Sequence, residues 1–480
     1  MSIDPTLRRL AAAVLVPGFD GTTAPPWLLD LLDDGLAGVC LFGQNVADPE
    51  QVRALTDSLH AVRPGVLVTS DEEGGTVTRL DVAAGSPWPG HATLGALDDV
   101  AVTAEVARGL GARARALGVD VVLGPVADVA SEPDNPVIGE RSFGADPDLV
   151  ARHAAAFVRG LHAGGAAACA KHFPGHGATR TDSHLTLPEL DVDEATWRRR
   201  DLAPFAAAVE AGVDCVMTAH VVVRALDDQP STTSPRVLGL LRDELGFDGV
   251  VMTDAIDMKA LSARVGRAGG AAAALRAGVD LVCVGNPVFP ERYDDEAAAR
   301  ELVDAIALGV PGERLEEAAA RVSALRMPAP GAAPTDAEAL ALGVRAAGAA
   351  LSRRGDVGLA PGVPVLLAPS ETAYAAGTRP SQLARHLDDV VAVDDPDAAL
   401  RHVRGREGRP VVAVEGRSGP RSRAVVEAVL AERADTLVVH LGPDDPHAPP
   451  ATHQLTSHAG GRAAALAVRH ALVTDTQEDM

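Results

Sequence analysis

The chain has 480 residues and a mass of 49.2 kDa, enough for about two or three domains whose cores need no disulfides. Its 66 acidic residues outnumber 43 basic ones, and the resulting charge of −23 excludes a general nucleic-acid binder and a protein that adheres to anionic lipid. Hydrophobic residues at 47% and charged residues at 23% exclude a wholly disordered chain, while aromatics at 3% favour a compact pocket over a long polysaccharide cleft.

The opening MSIDPTLRRLAAAVLVPGF reads as a helix and a strand, not a signal peptide, so a cytoplasmic location is expected. No apolar run reaches the roughly 18 residues of a transmembrane helix. Short apolar runs then recur at 12–19, 38–43, 65–75, 119–129, 166–177, 215–221, 249–258 and 280–286, with stretches of helical period between most of them. Buried strands alternating with helices predict a parallel sheet, and eight such units match a (β/α)8 barrel. The polar residues gather at the C-terminal ends of these runs: Asp71-Glu72, Asp128, Lys171-His172, His220, Asp254 and Asn286. That is the mouth at which such a barrel carries its active site. Cys40, Cys169, Cys215 and Cys283 sit inside the apolar runs and read as small buried strand residues of a reducing compartment.

A helical stretch from Leu315 to Leu325 leads to the Pro- and Ala-rich segment Met327–Pro334. A further helix begins near Thr335-Asp336. Apolar runs at 364–369, 390–395, 410–416 and 435–442 predict a second, smaller α/β unit, closed by a helix over Gly460 to Val473 and a frayed tail. The expected fold class is α/β, a TIM-like barrel followed by a smaller α/β sandwich domain. The predicted domains are a catalytic barrel over 1–326, a linker over 327–335 and a C-terminal domain over 336–480.

The densest chemistry lies in KHFPGHGATRTDSHLTLPEL, residues 171–190, where Pro174, Gly175 and Gly177 forbid a regular helix. His172, His176 and His184 suggest a metal set, but the Pro-Gly between the first two destroys the helical face such a site uses. Asp182 and His184 suggest a dyad: alternate residues of an extended loop face one way, and a carboxylate beside an imidazole suits a general acid/base. Asp254, at the end of VVMTDAIDM, has the rigid placement a nucleophile needs, with Asp257 as a helix cap or a solvent-facing residue. In SDEEGGTVTRL, Asp71 can accept bonds from sugar hydroxyls, with Arg79 nearby. Arg141, in NPVIGERSFG, can fork to ligand oxygens or make a surface salt bridge. Lysine occurs only at Lys171 and Lys259, so its retention at 171 points to a compact ammonium where a guanidinium does not fit.

PGF (17–19), LFGQN (41–45), DEEGG (71–75), GERSFG (139–144), KHFPGHG…DSH…LP (171–188), GFDGVVMTDAIDM (246–258) and AGVDLV (277–282) together resemble family 3 glycoside hydrolases of the β-N-acetylglucosaminidase branch. The resemblance covers about residues 8–325. It implies Asp254 as nucleophile, His184 as acid/base with Asp182 as its partner, and Asp71, Arg79, Arg141, Lys171 and His172 as sugar-binding residues. DEEGG replaces the commoner DQEGG, and Ala178 stands where Asp is frequent; neither touches a catalytic position. The expected reaction is retaining removal of terminal β-linked N-acetylglucosamine from muropeptides or chitin-derived oligosaccharides, with no cofactor and no metal; a small sugar is the expected partner, and the oligomeric state is left open. The rival readings are a phosphorylase on the same scaffold, a metal-dependent barrel hydrolase and a non-catalytic amino-sugar-binding protein.

Overall fold

The computed structural model describes residues 3–183, 185–360, 362–370 and 380–474. The chain forms two compact units, one of Met1–Glu72, Thr103–Ile138 and Ala145–Pro334, the other of Glu73–Val102, Gly139–Gly144 and Thr335–Met480. Two segments embedded in the sequence of the first unit thus belong with the second.

Eight parallel strands of the first unit form a ring: β1 (Leu15–Val16), β2 (Gly38–Leu41), β3 (Leu67–Ser70), β4 (Val121–Val122), β5 (Ala167–Phe173), β6 (Cys215–Thr218), β7 (Val250–Thr253) and β8 (Val282–Cys283). Strands β2 to β7 pair in sequence order. Strand β8 pairs with β1, Leu15 lying opposite Val282. The ring closes through Thr253 N to Leu281 O at 2.9 Å and Cys40 N to Pro17 O at 3.0 Å. This is the (β/α)8 barrel that the eight apolar runs predict. Its interior is a packed core that includes Val16, Leu67, Leu123, Met217, Met252 and all four cysteines. The cysteines are buried free thiols, as expected. Burying nearly every strand residue on both faces is what removes the alternating polar pattern from these segments.

A short sequence recurs at the N-terminal rim. Gly118-Val119-Asp120, Gly212-Val213-Asp214 and Gly278-Val279-Asp280 each lead into an even-numbered strand. The glycines take φ of +79°, +84° and +125°, which lets the chain leave a helix and turn into the sheet. Each aspartate then accepts the backbone N–H of the strand before it. Val68 N donates to Asp120 at 3.0 Å, Ala168 N to Asp214 at 2.8 Å and Val251 N to Asp280 at 3.0 Å. Basic side chains complete each contact: Arg115 and His60 at Asp120, His162 at Asp214, and Arg242, Arg314 and Arg321 at Asp280. The hydrogen bond to Asp120 pushes the His60 pKa up.

The second unit holds a six-stranded sheet of β9 (Ser352–Arg354), β10 (Val365–Ala368), β11 (Val390–Ala392), β12 (Val411–Glu415), β13 (Leu437–Leu441) and β14 (His453–Thr456), in the order β9-β14-β13-β12-β10-β11. All neighbours are parallel except β9 and β14. Alternate residues build two cores. Val365, Val411, Ala413, Leu437 and Val439 face one side, and Leu366, Ala368, Val412, Val414 and Val438 face the other. This is the smaller α/β layer structure expected.

Candidate active site

The carboxyl ends of a parallel ring share one mouth, so Asp71 after β3, Asp128 after β4, Lys171 and His172 at the end of β5, and Asp254 after β7 all lie at that end of the barrel. Asp71 and Asp254 also both act electrostatically on the buried Cys283 thiol, whose pKa rises through its hydrogen bond to Cys40, its burial and these charges.

The backbone fixes Asp254 at two points. Its N–H donates to Thr218 O at 3.1 Å, continuing the β6–β7 ladder, and its Oδ1 accepts from Ala255 N at 2.7 Å. Ala255 is itself held, because its carbonyl accepts from His220 Nε2 at 3.0 Å. That bond places a proton on His220 Nε2, and Nδ1 lies 2.8 Å from the Thr232 hydroxyl. Asp257 is neither a helix cap nor solvent-facing. Burial pushes its pKa up, and its Oδ1 accepts Gly285 N at 2.8 Å, tying the loop after β7 to that after β8.

The Lys171–His172 pair forms the floor of the β5 loop. Lys171 is 1% exposed, and its Nζ lies 2.6 Å from Asp71 Oδ1. His172 Nδ1 donates to Asp128 Oδ2 at 2.7 Å. The same carboxylate accepts His176 N at 2.7 Å through Oδ1. Burial pushes Asp128 up, but the two histidines outweigh it and hold the carboxyl below its ordinary range. Gly175 and Gly177 make this path possible. Gly175 has φ +112°, and a Cβ at Gly177 would lie 2.0 Å from Val129 O.

His176 is fully engaged by protein. Nδ1 lies 2.7 Å from Thr179 Oγ1 and Nε2 lies 3.0 Å from Ser183 Oγ. A metal set of His172, His176 and His184 therefore lacks a ring nitrogen at its centre. Among the described residues no group of three His, Cys, Asp or Glu side chains is placed to hold a metal ion. His184 lies outside the described residues. Asp182 is buried, and its carbonyl accepts Leu185 N and Thr186 N, both at 3.0 Å.

Arg79 and Arg141 belong to the second unit's segments. Arg141 is 7% exposed and forks onto Glu73 at 2.9 and 2.8 Å, so it is a buried bidentate pair and not a surface salt bridge. Arg79 is half-buried, just past the short strand Val77–Thr78.

The family description "Glycosyl hydrolase family 3 N terminal domain" matches residues 27–325. The chain belongs to this family. A β-hexosaminidase A from Pseudoalteromonas piscicida is 33% identical over 339 residues, 64% of this chain and 56% of that protein. This chain therefore spans little more than half of that relative. A β-hexosaminidase from Stenotrophomonas maltophilia is 38% identical over 310 residues, covering 62% of this chain and 91% of its own length. The similarity to a solved family 3 β-N-acetylglucosaminidase from Paenibacillus sp. extends to both units, with a TM-score of 0.85 at 30% identity over 98% of this chain and 97% of the other.

Sequence reasoning placed Asp128 and His220 at the barrel mouth and weighed His176 only as a metal ligand, but gave none of them a part in holding the loops. Ser183 was not singled out, because what matters about it is what it bonds to.

Proposed function

We propose that the chain is a retaining exo-β-N-acetylglucosaminidase with Asp254 as nucleophile. The observation that carries this reading is the fixed Asp254 carboxylate at the barrel mouth, in register with the Asp71–Lys171 pair and the Asp128–His172 pair. Asp71, Arg79, Arg141, Lys171 and His172 hold the sugar. Asp254 attacks the anomeric carbon while His184 protonates the departing glycosidic oxygen, and Asp182 stabilises the imidazolium's charge balance. Water then attacks the glycosyl-enzyme, His184 takes its proton, and the Asp254 carboxylate leaves, giving net retention. The β-hexosaminidase names of the relatives support the sugar, and the four free cysteines support a reducing, cytoplasmic setting in which muropeptides or chitin-derived oligosaccharides are the substrates.

The test uses a nitrophenyl N-acetylglucosaminide and the matching glucoside, each with and without phosphate. The acetamido sugar should be cleaved, the product should keep the β configuration by proton NMR, and phosphate should change neither rate nor product. Asp254→Ala should lower kcat by about a thousandfold or more with an unchanged circular-dichroism spectrum. A phosphorylated product would replace this reading with phosphorolysis, and near wild-type turnover in that variant would move the nucleophile.

A further inference from the structure

Ser183 is the residue between Asp182 and His184, and it is held from both sides. Its carbonyl accepts the N–H of Ala260 at 3.1 Å, from the first turn of helix Lys259–Ala277, which follows Asp254. Its hydroxyl meets His176 Nε2 at 3.0 Å. The direction of the second bond can be worked out. Asn135 Oδ1 accepts Val137 N and Ile138 N, so its amide nitrogen faces His176 O and Thr179 Oγ1. The single Thr179 proton goes to His176 O at 2.9 Å, since a carbonyl only accepts. His176 Nδ1 must then donate to Thr179, and its Nε2 lone pair accepts the Ser183 hydroxyl. Burial keeps this ring neutral, with its pKa pushed down to about 4.

His176 is rigid in turn. Its N–H is bound by Asp128, the carboxylate that also orients His172. Just before it, the Pro174 carbonyl accepts the Trp197 indole N–H at 2.9 Å. One hydroxyl and one carbonyl of a single serine thus join the base of the β5 loop to the loop that carries Asp254.

We propose that Ser183 is a positioning residue for the acid/base step, clamped between His176 and Ala260 so that the β5 loop is tied to the segment that follows Asp254. This rests on the reading of His184 as acid/base. The prediction separates a clamp from mere loop support, because a clamp matters only where the leaving oxygen needs a proton.

The experiment compares kcat/KM for wild type, Ser183→Ala, Ser183→Thr, Ala260→Pro and His184→Ala across aryl N-acetylglucosaminides of graded phenol acidity and an unactivated disaccharide. Proline at 260 removes the second bond from the first helical turn, where proline is tolerated, and leaves Ser183 and His176 intact. For Ser183→Ala and Ala260→Pro we expect losses under about threefold on a dinitrophenyl glycoside, rising to about thirtyfold on the disaccharide. Ser183→Thr should return to within about threefold of wild type, and Ser183→Ala should cost nothing further in a His184→Ala background. A steep leaving-group dependence in His184→Ala with flat losses in both clamp variants would overturn the clamp and leave the acid/base reading standing. A flat profile in His184→Ala would overturn that reading and the clamp's purpose with it.

Discussion

A buried neutral imidazole leaves a mark on the pH dependence of stability. The His176 ring is held to a pKa of about 4 by burial, against 6.5 in an exposed chain. Between those values the unfolded chain binds a proton that the folded protein refuses. The contribution is therefore complete above pH 6.5 and is lost as the pH falls to about 4, by up to about 3 kcal/mol. Asp201 acts with the opposite sign. Burial raises its carboxyl from 3.8 to about 6 despite the Arg200 pair, so its contribution is complete below 3.8 and is lost as the pH rises through about 6. The two oppose each other over nearly the same window, and wild-type stability alone will show a shallow slope. Urea unfolding of His176→Gln at steps from pH 7 to pH 4 should show a gentler acid loss than wild type. Identical slopes would mean that His176 titrates normally. This is also where sequence reading reaches its limit. A histidine in a Pro-Gly loop announces chemistry, but neither its burial nor its four neighbours follow from residue type.

Helix starts, by contrast, are written plainly in this chain. Asp4-Pro5, Asp48-Pro49, Asp146-Pro147 and Asp395-Pro396 each open a helix. The aspartate accepts an N–H of the first turn, and the proline occupies a position whose N–H has no helical partner. Asp146 caps Pro147–Gly164, an 18-residue helix that buries Val150, Phe157, Val158 and Leu161. Asp146→Ala should cost about 1 kcal/mol, read as a lower urea midpoint at unchanged slope. The elements that escaped prediction are those without an apolar signature. Strand β9, Ser352–Arg354, is exposed along its whole length and is defined by antiparallel pairing to β14, whose His453 and Gln454 are only half-buried.

At the scale of the molecule, the barrel was legible because each of its eight strands lies inside an apolar run, and the second sheet was legible in part for the same reason. The Gly-Val-Asp triplets show how the ring is tied. Asp280 is fully buried and faces Arg242, Arg314 and Arg321, so Asp280→Asn would strand three guanidinium groups against a neutral amide. A loss of about 3 kcal/mol or more is expected, seen as a clear fall in Tm, whereas a change of a degree or less would show that solvent carries those charges. The three triplets also divide the ring unevenly. They bind β3 to β4, β5 to β6 and β7 to β8, while among the described residues no such aspartate bridges β1 to β2. Strand β1 is only two residues long and hangs between its neighbours by main-chain bonds. A closed ring opens at its weakest joint, so the barrel has a built-in seam. Brief openings of the sheet should begin at β1, admitting solvent to the backbone there first, while Asp254, just after β7, sits beside a riveted pair and stays in place through such excursions.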